Sequence, residues 1–221
     1  MGIIKPVILM KRILIPGLSI LSLLIGMPQS QAQESVSLGP KAGISSTTLV
    51  GEGVDDASPR VNFVGGLFYS INATEMFSIQ PELLYHRKGA TFENQAFNLK
   101  TDLTIDYLEL PILFKIRVPL GDVLYPSIYA GPYGAVKLRD KSVTTQLDTD
   151  ISIQEDPEVH SFDGGIVIGV GLDLEAGAFY FGGDIRYGIG LSTIDRSVED
   201  PIKAYNRSLS ILFGLGVNID R

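Results

Sequence analysis

Between residues 36 and 219 the chain repeats one pattern eight times: a strand-length segment in which apolar residues alternate with small or polar ones. In residues 77–88 one set is Phe77, Ile79, Pro81, Leu83 and Tyr85, and the other is Ser78, Gln80, Glu82, Leu84, His86 and Lys88. A period of two puts these sets on opposite sides of a β-strand. Residues 107–117 are the most regular, with Leu108, Leu110, Ile112, Phe114 and Ile116 opposite Tyr107, Glu109, Lys115 and Arg117. The remaining segments are 36–45, 61–71, 126–138, 162–174, 179–191 and 208–219. Their connections alternate in length. Those at 72–76, 118–124 and 175–178 are tight, and those at 46–60, 89–106, 139–161 and 192–207 are long, polar and acidic. Strands so arranged predict an all-β fold, an eight-stranded antiparallel up-and-down barrel with both termini at the tight-turn end.

Periodicity does not say which face is inside. An apolar face turned outward makes a transmembrane β-barrel, and one turned inward makes a ligand-binding barrel of the lipocalin kind. The opposite face carries Lys41, Glu82, Glu109, Lys115, Arg117, Asp163, Asp184 and Arg186 among glycines. That suits a narrow charged interior better than an apolar ligand cavity. Phe77 and Tyr85, like Phe179 and Tyr187, stand eight residues apart. At about 3.3 Å per residue and a tilt near 40°, that is roughly 20 Å of height, close to an outer-membrane apolar band with aromatic girdles.

The first 32 residues set the compartment. Lys5, Lys11 and Arg12 precede an apolar stretch at 13–27, and Ser30-Gln31-Ala32 offers a cleavage site before Gln33. The expectation is a signal peptide at 1–32, started at Met1 or Met10, and a barrel domain at 33–221. The stretch is shorter than the roughly 20 residues of a spanning helix, and Pro16 and Gly17 interrupt it. Without the leader, 15 basic residues stand against 25 acidic ones, a net charge of −10. That balance argues against nucleic acid as a partner. With no cysteine, a disulfide framework and thiolate chemistry are excluded.

Four prolines fit paired strands poorly: Pro40, Pro81, Pro111 and Pro132. Each removes a ladder bond, and bulges or strand ends would accommodate them.

The segments Gly39-Pro-Lys-Ala-Gly-Ile44, Gln80-Pro-Glu-Leu-Leu-Tyr85 and Tyr107-Leu-Glu-Leu-Pro-Ile-Leu113 carry a family resemblance, together with Gly131-Pro-Tyr133, Phe162-Asp-Gly-Gly165 and Arg186-Tyr187. The chain resembles the PorT-like outer-membrane β-barrel proteins of Bacteroidota, the "porin family". The resemblance implies an eight-stranded barrel in the outer membrane and assigns no activity. One departure stands at the end of the chain. Gly214, Val217 and Ile219 keep the spacing of an assembly signal, but Val217-Asn-Ile-Asp-Arg221 lacks the terminal aromatic that such barrels commonly carry.

Eight strands enclose a space that side chains fill, so the inward charges predict an ion-paired plug rather than a pore. Glu82 and Glu109 are expected to pair with Lys115, Arg117 or Arg186. His86 and His160 fall where strands meet the long connections, with Asp106, Glu158 and Asp163 nearby. They would form a rim site of the hydrolase or acyltransferase kind, but no serine motif or metal-ligand spacing accompanies them, and the expectation is two solvated histidines. The acidic run of Asp148, Asp150, Glu155, Asp156 and Glu158, with Asp195, Glu199 and Asp200, lacks the order of a calcium loop.

The sequence therefore predicts a non-enzymatic outer-membrane barrel with a structural, surface-contact or accessory role, and no catalytic, metal or cofactor site. A narrow channel for small polar solutes is the alternative. The expected partners are the lipid bilayer, lipopolysaccharide and, during insertion, the barrel assembly machinery. The termini are expected in the periplasm and the long loops outside the cell, and no protein partner is legible.

Overall fold

The computed structural model describes residues 35–220 apart from 53, 55, 150, 156, 158 and 195–202. The leader at 1–32, Gln33, Asp150, Asp156, Glu158, Asp195, Glu199, Asp200 and Arg221 lie outside the described residues. Among the described residues nine strands follow in order: β1 (Ser35–Gly51), β2 (Ala57–Asn72), β3 (Phe77–Asn94), β4 (Leu99–Arg117), β5 (Leu124–Gln146), β6 (Ile151–Glu155), β7 (Phe162–Ala176), β8 (Phe179–Gly190) and β9 (Ala204–Asp220). All except β6 form a closed antiparallel ring, with β1 hydrogen-bonded to β9. Closure leaves no edge along the ring, which is the condition for a sheet to sit in hydrocarbon.

The faces divide as the alternation predicts. Ile44, Phe63, Leu67, Ile128, Ile185 and Phe213 are among a wide belt of exposed apolar side chains. Lys41, Glu82, Glu109, Lys115, Arg117, Asp163, Asp184 and Arg186 are all buried inside. A belt of this extent is not sustained against water, and lipid is the solvent that suits it.

Strands β3, β4 and β5 run well past the belt, so the connections expected at 89–106 and 139–161 are largely strand. The first is a hairpin with Asn94 paired to Leu99, and the second continues β5 to Gln146 and returns as β6. Period-two reasoning missed these extensions because their polarity inverts. Beyond Arg87 and Asp106 the outward positions of β3 and β4 are Thr91, Glu93, Lys100, Asp102 and Thr104. The inward positions there, Ala90, Phe92, Leu103 and Ile105, join an apolar cluster. In water a barrel buries its apolar face, and in lipid it exposes it, so the inversion marks where the belt ends. At that level Arg87 grips Asp106 through two hydrogen bonds of 2.7 and 3.2 Å and donates a third to the Tyr85 hydroxyl.

The strand prolines are accommodated without bulges. Pro40 pairs with β2 but lies in a two-residue gap toward β9, and Pro81 pairs with β4 but lies in a gap toward β2. Pro111 and Pro132 repeat this toward β3 and β4. The register is the same on both sides of each gap. A residue in an antiparallel strand bonds through N–H and C=O to one neighbour, so a proline disrupts one seam and leaves the other intact.

Two of these gaps hold a glycine pressed against the facing strand. A Cβ on Gly39 would stand 1.9 Å from the Leu215 carbonyl oxygen, and one on Gly131 would stand 1.8 Å from that of Ile112. Backbone is what would have to move. Gly39→Ala and Gly131→Ala are each expected to lose about 1–3 kcal/mol in a denaturant titration of the lipid-inserted protein. Gly134→Ala, which meets nothing nearer than the Phe162 ring at 3.6 Å, serves as the tolerant control.

Candidate functional site

The inward faces bring their charges together in three layers. Nearest the tight turns, Lys115 donates to Asp173 at 2.6 Å, and Arg117 pairs with Glu175 and lies over the Tyr125 ring. The Tyr180 hydroxyl donates to the other Asp173 oxygen at 2.6 Å. These groups come from β4, β5, β7 and β8, four successive strands of the ring, so the layer ties one side of the barrel together.

The middle layer is a four-charge cycle. Lys41 reaches Glu82 at 2.8 Å and Asp184 at 2.6 Å. Arg186 reaches Glu82 at 2.6 Å and Asp184 at 2.8 Å. Tyr129 donates to Asp184, and Gln80 donates to Glu82. Two cations and two carboxylates balance, and each carboxylate meets both cations. That arrangement offsets the cost of taking ions out of water.

In the upper layer Lys88 bridges Glu109 at 2.7 Å and Asp163 at 3.1 Å, with its ammonium over the Tyr133 ring. Tyr133 and Asn206 also donate to the Asp163 oxygen that faces Lys88. His86 places Nδ1 3.2 Å from Glu109 and Nε2 3.0 Å from the Ser45 hydroxyl. Above lies the apolar cap of Leu49, Ala90, Ile105, Ala135 and Ala204. Val159 and Ile194 complete it from the connections on either side of β7 and β8. The loops are held there by the His160 amide donating to Ile194 and the Ile194 amide donating to Ala204.

Several sequence expectations change at this point. Glu82 does pair with Arg186, but Glu109 pairs with Lys88 and His86, while Lys115 and Arg117 go to Asp173 and Glu175. Strand tilt sets which inward residues share a level, and the alternation along a single strand does not reveal it. His86 is not solvated at a rim. It is 3% exposed inside the barrel, whereas His160 is exposed outside the cap. Asp106 turns outward to Arg87 and joins neither histidine.

Ser45, His86 and Glu109 share the connectivity of a hydrolase triad. The Ser45 hydroxyl is fully buried and also receives a hydrogen bond from Ser210 at 2.8 Å. The adjoining cavity, lined by His86, Lys88, Glu109, Tyr133 and Arg186, measures about 10 Å³. That is room for about one water and none for an acyl substrate. The arrangement is therefore part of the packing. All three residues lie on inward positions of the alternation, which is the signal by which the sequence could have grouped them.

Among the described residues no group of His, Cys, Asp and Glu is placed to hold a metal ion as a cluster. No described helix is long and apolar enough to cross a membrane, which says nothing of strands.

Comparison with known proteins places this architecture. Solved structures similar to it include the outer membrane protein OprG from Pseudomonas aeruginosa, at 10% identity over 86% of this chain and 97% of the other, with a TM-score of 0.53. Neisserial surface protein A aligns at 10% identity over 82% and 96%, with a TM-score of 0.48. Ail, the attachment invasion locus protein of Yersinia pestis, aligns at 12% identity over 86% and 100%, with a TM-score of 0.43. At these identities the likeness is one of fold. No curated protein matches the chain significantly. The family model described as outer membrane protein beta-barrel domain matches residues 29–196. With a closed ring, an apolar belt and this match over most of its length, the chain belongs to the outer membrane β-barrel domain family and is an outer-membrane protein.

Proposed function

We propose that the protein is a non-conducting, non-enzymatic membrane anchor that holds a sheet above the outer membrane for surface contact. The observation that carries this reading is the lumen. Three layers of paired charge and an apolar cap fill it, with a water-sized space of about 10 Å³ between them. The sheet is built from β3, β4, β5 and β6 beyond the belt, and its tips present Phe97, Leu147, Ile151 and Ile153, all more than half exposed. Exposed apolar tips on a polar sheet are the chemistry of a contact surface.

In this reading the tight turns and both termini face the periplasm, the extended sheet faces outward, and lipopolysaccharide surrounds its base. The barrel assembly machinery inserts the chain. The PorT-like proteins of Bacteroidota remain the proposed subgroup, on the motifs named above.

Planar-bilayer recording is expected to show no steady single-channel conductance, and a reproducible open level would replace this reading with the narrow channel. The absence of cysteine makes orientation testable as well. A cysteine at Leu147 should label with an impermeant maleimide on intact cells. One at Gly177 should label only after the outer membrane is opened, and the reverse pattern would invert the assignment.

A further inference from the structure

Above the belt the sheet has an open edge. Among the described residues β6 pairs with β5 alone and ends the strand order. All of its residues are exposed, Ile151 and Ile153 at 61% and 60%. Its register with β5 runs without a shift, and Ile151-Ser-Ile-Gln-Glu155 holds no proline and no lysine. Bulges, prolines and lysines are the usual guards that keep an edge from pairing with another chain, and this edge has none of them.

The neighbouring hydrogen bonds show which backbone groups of β6 are free. The Leu147 amide donates to the Asn98 carbonyl, and Leu99 stands opposite Gln146. Leu99 and Gln146 are therefore a non-hydrogen-bonded pair, and the N–H and C=O of Gln146 turn toward β6. By alternation Gln146, Thr144 and Ser142 bond to Ile151, Ile153 and Glu155, so Ser152 and Gln154 point their N–H and C=O off the sheet. The side chains divide too. Leu103, packed against the apolar cap, is opposite Ser142. That puts Ser142 and Thr144, with their partners Glu155 and Ile153, on the lumen side of the sheet, and Ile151 follows on the same side.

We propose that the free edge of β6 takes up an extended segment of a partner protein as an added antiparallel strand. The N–H and C=O groups of Ser152 and Gln154 bond it. A basic residue lies opposite Glu155, the one charged residue of β6, and apolar residues lie opposite Ile153 and Ile151. The segment thus reads basic-x-apolar-x-apolar. A second copy of this chain fits the edge less well. Two copies in one membrane present β6 running in the same direction, and a two-fold along the membrane normal sets equivalent residues at equal height. Parallel strands bond only when the bonding residues are staggered by one, so that seam does not form. A copy in a facing membrane runs antiparallel, but the two-fold that pairs Ser152 with Gln154 sets each Glu155 against an Ile151. This partner class rests on the surface-contact reading above, which the conductance recording tests separately.

The probe is an end-blocked, fluorescently labelled peptide, Lys-Thr-Val-Thr-Val, titrated into the detergent-folded protein and followed by anisotropy. Saturable binding is expected, about threefold or more weaker when the lysine is replaced by glutamate. Binding should be lost when both threonine nitrogens are methylated, because those carry the N–H groups that face β6. In hydrogen exchange the free protein should protect the Ile153 amide and leave those of Ser152 and Gln154 open, and the peptide should then protect both. Gln154→Pro removes an edge N–H and no bond to β5, so peptide binding should fall about tenfold or more while the melt stays unchanged. Should Gln154→Pro fail to fold, the methylated peptide and the exchange pattern decide the matter alone. No saturable binding, equal binding of the methylated peptide, or a Gln154 amide protected before peptide is added would each overturn the proposal. Clustering of vesicles that carry the protein alone, abolished by Gln154→Pro, would also overturn it, because the edge would then belong to a facing copy.

Discussion

Arg186→Ala is expected to lower the stability of the folded barrel by about 3–5 kcal/mol, the usual cost of leaving a buried charge without its partner. Removing the guanidinium leaves Glu82 and Asp184 to share Lys41 alone, in a layer where every side chain is nearly closed to solvent. Glu82→Ala should cost a similar amount, because Lys41 and Arg186 then crowd onto Asp184. The combined Glu82→Gln, Arg186→Gln protein returns the cycle to one cation and one carboxylate, and most of the loss should be recovered. Urea unfolding from phospholipid vesicles measures all of these. Unchanged midpoints for both single variants would remove the ion-paired plug from the account, and an additive double variant would mean that the two residues do not act as a pair.

A cation on the outer face should fail in a different way. Ile185 sits midway along β8, half exposed and flanked across the ladder by Val170 and Ile211. Ile185→Arg is expected to lose about 2–4 kcal/mol, the range for arginine near the bilayer midplane of a barrel. Phe97→Arg, at the sheet tip, should change stability by no more than about 0.5 kcal/mol. If the two substitutions proved equally mild in vesicles, the apolar belt would not be a lipid-facing surface.

Between them these substitutions separate two kinds of information. The belt was legible from residue order alone. Leu108, Leu110, Ile112, Phe114 and Ile116 alternate with Tyr107, Glu109, Lys115 and Arg117, and the structure puts the first set outward and the second inside. The tight turns after β2, β4 and β7 were legible too, since they interrupt an otherwise regular period. The extensions of β3 and β4 were not. Ala90 and Ile105 point inward there and Thr91 and Asp102 outward, so a search for one continuous apolar face ended at the inversion. Prolines at 40, 81, 111 and 132 read as obstacles in sequence. In the barrel each costs pairing along a single seam.

The candidate site was half visible. The list of inward charges follows from the period, and all eight of its members are in the lumen network. Lys88, Asp173 and His86 belong to that network as well, but their roles depend on which strands face one another and at what height. His86 looked like a rim residue because a polar stretch follows it, and that stretch is the inverted part of β3.

By itself, then, the residue order determined the number of membrane strands, their faces and the chain's location. Those properties are local, because a side chain two positions along a strand always returns to the same face. Tertiary structure alone decided that Glu109 meets Lys88, that Asp163 keeps one oxygen unpartnered, and that Val159 and Ile194 join the apolar cap. These depend on strand tilt and on how the ring closes, which set the height of every inward side chain and are written in no single strand.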